Sequence, residues 1–125
     1  MIFGTSRSVR VWARTTPTDL RKGYNGLYGL VKNELGRDPL SGDLHLFVNR
    51  RRTSCKILMW DGTGLCIFMK RLERGSFAAL RRDPDSGAVR LTASELALFI
   101  EGCELVGHQR LSPEPIVPKP LSTAM

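Results

Sequence analysis

Three consecutive arginines, Arg50-Arg51-Arg52, with Lys56 just beyond them, are the residues whose type and spacing best suit chemistry with an outside partner. A guanidinium is a planar fork that meets a phosphate through two parallel hydrogen bonds and keeps its charge at any ordinary pH. A second cluster is Lys70-Arg71-Leu72-Glu73-Arg74, in which Glu73 is able to pair with a neighbouring arginine, and a third is Arg21-Lys22. The candidate nucleic-acid-binding set is therefore Arg50, Arg51, Arg52, Lys56, Lys70, Arg71, Arg74, Arg21 and Lys22. Four phosphate contacts from the first cluster imply a log–log salt slope of roughly −3.6 on duplex DNA. The competing account is that charged hairpin tips simply discourage edge-to-edge aggregation, although three arginines in a row exceed that need. Trp12 and Trp60 offer rings that stack on unpaired bases, or that pack in a core or an interface.

Catalytic chemistry finds no comparable pattern. Phosphoryl-transfer enzymes hold two metal ions between carboxylates, whereas the acidic residues here are scattered among helix ends and turns. Asp61-Gly62-Thr63-Gly64 lacks the lysine and the following helix of a phosphate-binding loop. Cys55, Cys66 and Cys103 are odd in number and form no Cys-x-x-Cys pair, so they are expected as buried free thiols in a reducing compartment. With His45 and His108 the only histidines, no zinc-ligand spacing exists. The expectation is a protein with no catalytic residue, no metal and no cofactor.

The elements that must hold the arginines follow from periodicity. Val9-Arg10-Val11-Trp12-Ala13-Arg14 alternates as a half-buried strand. Thr16 as N-cap and Pro17 as first helical residue predict a helix over residues 17–35, with Leu20, Tyr24, Leu27, Val31 and Leu35 on its apolar stripe. Within it Gly23, Gly26 and Gly29 share a stripe, which predicts close approach to the sheet or to another chain. Arg21 and Lys22 would then lie early in that helix, where its dipole disfavours cations and an external anion would offset the cost.

After a loop over residues 36–43, three strands are predicted at residues 44–49, 55–60 and 65–72. Their short links force an antiparallel meander with turns near Arg51-Arg52 and Gly62-Thr63. The apolar patch Phe77-Ala78-Ala79-Leu80 precedes a polar turn, and Val89-Arg90-Leu91 reads as one more short strand. Thr92-Ala93-Ser94-Glu95 is a capping box that opens a helix with Leu96, Phe99, Ile100 and Cys103 on its buried stripe. The fold class is α+β: a three- or four-stranded, mainly antiparallel sheet packed against the two helices.

Size and charge bound the rest. The 125 residues support a single domain, expected over residues 1–107, followed by a proline-rich tail over residues 108–125 that carries Pro113, Pro115, Pro118 and Pro120. A hydrophobic content of 42% and a charged content of 25% suit a globular chain. No apolar run reaches bilayer length, and no basic-then-apolar leader opens the sequence, so a cytoplasmic location is expected. The net charge is +7, and all of that excess falls within residues 44–82, where only Asp61 and Glu73 oppose the cations. Arginines also far outnumber lysines, which favours phosphate recognition over mere solubility. A solubilising surface, or one for an acidic protein, is the alternative.

Five stretches, taken in order, are together distinctive: Val9-Arg10-Val11-Trp12; Pro17-Thr18-Asp19-Leu20-Arg21-Lys22-Gly23; Lys56-Ile57-Leu58-Met59-Trp60-Asp61-Gly62-Thr63-Gly64-Leu65; Lys70-Arg71-Leu72-Glu73-Arg74-Gly75; and Leu91-Thr92. Through them the chain resembles the TnpB-type accessory proteins of the insertion-sequence family numbered sixty-six, which are unrelated to the RNA-guided nuclease of the same name. The resemblance implies a non-catalytic role in transposition, beside a separate transposase that holds the catalytic carboxylates and another accessory protein of the same element. It brings no site residues. DNA and the transposase are thus the expected partners. The alternative is a protein-interaction module that docks on the transposase without contacting DNA.

Overall fold

The computed structural model describes residues 9–81 and 85–102. The expectations placed on Arg82, Cys103, His108 and the proline-rich tail lie outside them. Five strands form one sheet: β1 (Val11–Arg14), β2 (Leu44–Val48), β3 (Ser54–Trp60), β4 (Leu65–Arg71) and β5 (Ala88–Leu91), in the order β4-β3-β2-β1-β5. The predicted meander is present, with Phe47 opposite Lys56 and Ile57 opposite Phe68 in its antiparallel ladders. The sheet exceeds the expected three or four strands because Val11–Arg14 and Ala88–Leu91 both join it. β1 pairs with β5 antiparallel and with β2 in parallel. A parallel neighbour requires a crossover rather than a hairpin, and residues 15–43 supply it.

That crossover holds α1 (Tyr24–Gly29), which continues into a π-helical turn over Leu30–Glu34. The helix expected over residues 17–35 therefore begins seven residues late. The reason is tertiary. The Thr18 amide donates to the Val48 carbonyl at 2.9 Å, and the Arg14 guanidinium donates to the Pro17 carbonyl at 3.2 Å and to Thr18 Oγ1 at 3.0 Å. Groups that would serve the first helical turn are bound to β1 and β2 instead. Leu27 and Val31 are buried as the periodicity requires, whereas Tyr24 is exposed. The glycine stripe is a second correction. A methyl group on Gly23 would meet nothing, one on Gly26 would meet only the Lys22 side chain, and one on Gly29 would meet Asn33. Among the described residues, the sheet does not approach these glycines.

Both faces of the sheet are covered, so the core has two halves. Val11, Ala13, Leu46, Ile57, Phe77 and Phe99 belong to the half beneath α2 (Ala93–Glu101), where the rings of Phe77 and Phe99 stack with centroids 4.9 Å apart. Leu27, Leu30, Val31, Phe47 and Leu58 form the half beneath α1. β2 is central and buried on both faces, which explains its unbroken Leu44-His45-Leu46-Phe47-Val48 run. The capping box forms as expected: Thr92 Oγ1 accepts from the Glu95 amide at 3.0 Å, and Glu95 Oε1 accepts from the Thr92 amide at 2.8 Å. None of the helices among the described residues is long and apolar enough to cross a membrane.

Candidate nucleic-acid interface

Strand directions decide where the cations go. β1, β2 and β4 end at one pole of the sheet, and β3 and β5 begin there. The turn after β2, the segment after β4 and the segment after β1 consequently converge. The Leu72 amide donates to the Thr53 carbonyl at 2.8 Å, and the Phe77 amide donates to the Arg52 carbonyl at 2.7 Å. Arg50, Arg51 and Arg52 occupy the turn. Arg71 closes β4, Arg74 stands three residues beyond it, and Arg21 and Lys22 lie on the approach to α1. Lys56 and Lys70 stand near the polar ends of β3 and β4. Three separate stretches of sequence thus deliver all nine candidates to one pole.

Asn49, to which sequence reasoning gave no role beyond the end of a strand, organises the arginine turn. Its Oδ1 accepts from the Thr53 amide at 2.9 Å and from the Ser54 amide at 3.0 Å, while its Nδ2 donates to Thr53 Oγ1 at 3.1 Å. An asparagine directly before a turn is the available signal, because its amide mimics a backbone turn.

The nine cations are not equivalent. Arg52 adopts a left-handed φ of 60° and donates from Nη1 to the Phe77 carbonyl at 3.2 Å, so it anchors the turn. The Lys70 ammonium donates to the Ile100 carbonyl at 2.8 Å, at the negative end of α2. The Lys56 ammonium donates to the Lys22 carbonyl at 2.8 Å. Arg71 and Glu73 make the expected internal pair at 3.5 Å, and both are largely exposed. Arg50, Arg51, Arg74 and the Lys22 ammonium are exposed and make no hydrogen bond or ion pair within the described residues.

Arg21 and Lys22 precede α1 rather than lie in it, so the helix-dipole argument for an external anion does not apply to them. Arg21 already has an anion. Its guanidinium embraces the Asp19 carboxylate, with Nη2 2.7 Å from Oδ2 and Nε 3.0 Å from Oδ1. Those hydrogen bonds hold Asp19 well below the usual carboxylate range and raise Arg21.

The remaining candidates resolve differently. The ring of Trp12 lies under the Arg37 guanidinium, 3.2 Å from its centroid, and its Nε1 donates to Asp43 Oδ2 at 3.2 Å. That face is therefore taken by a neighbour within the chain. Asp61 Oδ1 accepts from the Thr63 and Gly64 amides at 2.9 Å each, and these bonds lower its pKa. Turn formation accounts for it. Cys55 is buried, and burial pushes its thiol up to about 11. Cys66 is only half-buried, contrary to expectation, because β4 is an edge strand.

Among known proteins, the family model described as "IS66 Orf2 like protein" matches residues 9–110. The chain is similar to two proteins of Sinorhizobium fredii (strain NBRC 101917 / NGR234). It is 34% identical to the uncharacterized protein y4jC over 103 residues, 82% of this chain and 86% of the relative. It is 34% identical to the uncharacterized protein y4hO over 100 residues, 80% of this chain and 85% of the relative. No solved structure matches significantly.

Proposed function

This chain belongs to the IS66 Orf2-like family, which makes it an insertion-sequence-associated accessory protein, and from that premise we propose that it binds nucleic acid through its arginine pole without catalysing a reaction. The observation that carries this reading is the convergence of Arg50, Arg51 and Arg74, exposed and uncompensated, at one end of the sheet. Phosphate oxygens are the ligands that planar, permanently charged forks suit best. The pole presents turns rather than a recognition helix, and contacts of that kind fix position on a polyanion without reading its sequence. DNA in the cytoplasm, alongside the element's transposase, is the expected setting.

Binding of the purified protein to labelled duplex, at several salt concentrations, tests the proposal. Joint replacement of Arg50, Arg51 and Arg74 by alanine should weaken binding to unrelated sequences about equally. It should also flatten the log–log salt slope by roughly 0.9 for each phosphate that the variant no longer neutralises. Arg52 is left out of that variant because its removal would disturb the turn itself. A shallow apolar hollow of about 140 Å³, lined by Val9, Val11, Ala93, Leu96, Ala97 and Ile100, favours the second reading, a module that docks on the transposase. A triple variant that binds DNA like the parent would overturn the first reading, and an Ala97→Glu variant that keeps DNA binding yet no longer joins the transposase would establish the second.

A further inference from the structure

Beside the arginine turn lies a shallow cleft of about 680 Å³, within the size range of small-ligand sites. Arg50, Arg51, Asp19, Arg21, Ser54 and Met69 are among the residues that line it. Met69 is 54% exposed, an unusual position for an apolar side chain among so many cations. It faces Lys56 across the β3–β4 ladder, and the Lys56 ammonium is bound to the Lys22 carbonyl. Two residues beyond Lys22, Tyr24 opens α1 with 52% of its surface exposed. An exposed thioether thus shares the cleft with two arginines that have no partner among the described residues.

We propose that this cleft seats an unpaired nucleotide, so that the pole takes single-stranded nucleic acid in preference to duplex. The inference rests on the nucleic-acid reading above and specifies its substrate. A duplex is a convex rod whose bases are hidden in the stack, so it would touch the rim arginines and gain nothing from Met69. An unpaired strand offers a π-face in every base, and stacking on side chains rewards that face whatever the base. A thioether is polarizable and unbranched, and it makes favourable contacts with aromatic rings. The charges along the lining give the strand an orientation. Arg21 is neutralised by Asp19, whereas Arg50 and Arg51 are not, so the phosphate goes to the turn and the base lies over Met69.

Fluorescence anisotropy of the full chain with a labelled oligothymidine strand, and with a duplex of the same length at the same low salt, tests the assignment. The strand should bind about fivefold tighter or more, the lower end of what one stacked base contributes. Met69→Ala should lower strand affinity roughly fivefold, a change within the range of sulfur–aromatic contacts. Duplex affinity should stay within about twofold, and its retention shows that the variant is folded. Equal or tighter duplex binding by the parent, or a Met69→Ala variant with unchanged strand affinity, overturns the nucleotide seat and leaves the arginine pole intact. Failure of both probes to bind at low salt overturns the nucleic-acid reading itself.

Discussion

His45 stands on the central strand β2 with 1% of its surface exposed, and neither ring nitrogen has a hydrogen-bond partner among the described residues. Desolvation by burial lowers its pKa from 6.5 to about 4, with Asp43 and Asp38 opposing the shift and Arg37 adding to it. Between pH 6.5 and about 4 the unfolded chain binds a proton that the folded chain refuses. Stability contributed by this group is therefore complete above pH 6.5 and is lost as the pH falls through that window, up to about 3 kcal/mol in all. Urea unfolding at neutral pH and near pH 4.5 should show the decline. His45→Leu should reduce it and keep neutral-pH stability at least equal to the parent's, since the change also removes an unsatisfied buried polar group. An equally steep decline in that variant would assign the acid sensitivity to other groups. The alternation of β2 placed His45 opposite Leu44 and Leu46, but burial on that face depends on α1, which no local pattern positions.

At the scale of single elements, the arginine turn and the end of α2 each depend on one residue. Asn49→Ala removes three hydrogen bonds and no charge, and should cost about 1–2 kcal/mol. Because it loosens the turn, nucleic-acid affinity should fall although every arginine remains; unchanged affinity in a titration would show that the turn need not be rigid to bind. Gly102 ends α2 with a left-handed φ of 70°, and a methyl group there would lie 2.5 Å from Leu72 Cδ2. Gly102→Ala should therefore destabilise the protein by about 2 kcal/mol, from backbone strain plus displacement of Leu72. A thermal midpoint equal to the parent's would mean that α2 ends elsewhere in solution. The capping box and the Asp61 turn were legible in the sequence because their partners are three residues or fewer away. The start of α1 was not, because Val48, which takes the Thr18 amide, lies thirty residues on.

For the molecule as a whole, β3, β2 and β1 are flanked on both sides, whereas β4 and β5 are edges among the described residues. Native-state hydrogen exchange should accordingly find the slowest amides in β2 and in the β3 residues paired with it, exchanging only through global unfolding. Outward-facing amides of β4 should exchange through local opening. Protection of the β4 edge equal to that of β2 would reveal a strand or partner lying against it. The same strand order makes the arginine pole a property of the whole sheet. The sequence located the charge within residues 44–82, but Arg21 and Lys22 reach the pole only because β1 lies parallel to β2 and ends beside it.

What the sequence determined by itself is whatever depends on near neighbours: the three-strand meander, its two turns, the capped helix, the basic block and the family. Hydrophobic alternation, turn chemistry and reciprocal caps act over a few residues, so their outcome can be read along the chain. Tertiary structure alone decided the parallel β1–β2 pair, the late start of α1, and the anchoring of Arg52, Lys56 and Lys70 among the nine cations. A guanidinium or ammonium is bound or free according to which carbonyl or carboxylate stands within about 3 Å of it. For Arg52, Lys56 and Lys70 the partners are Phe77, Lys22 and Ile100, at least twenty-five residues away. Contacts of that range exist only once the sheet has assembled, and among the described residues they leave Arg50, Arg51 and Arg74 free at its end.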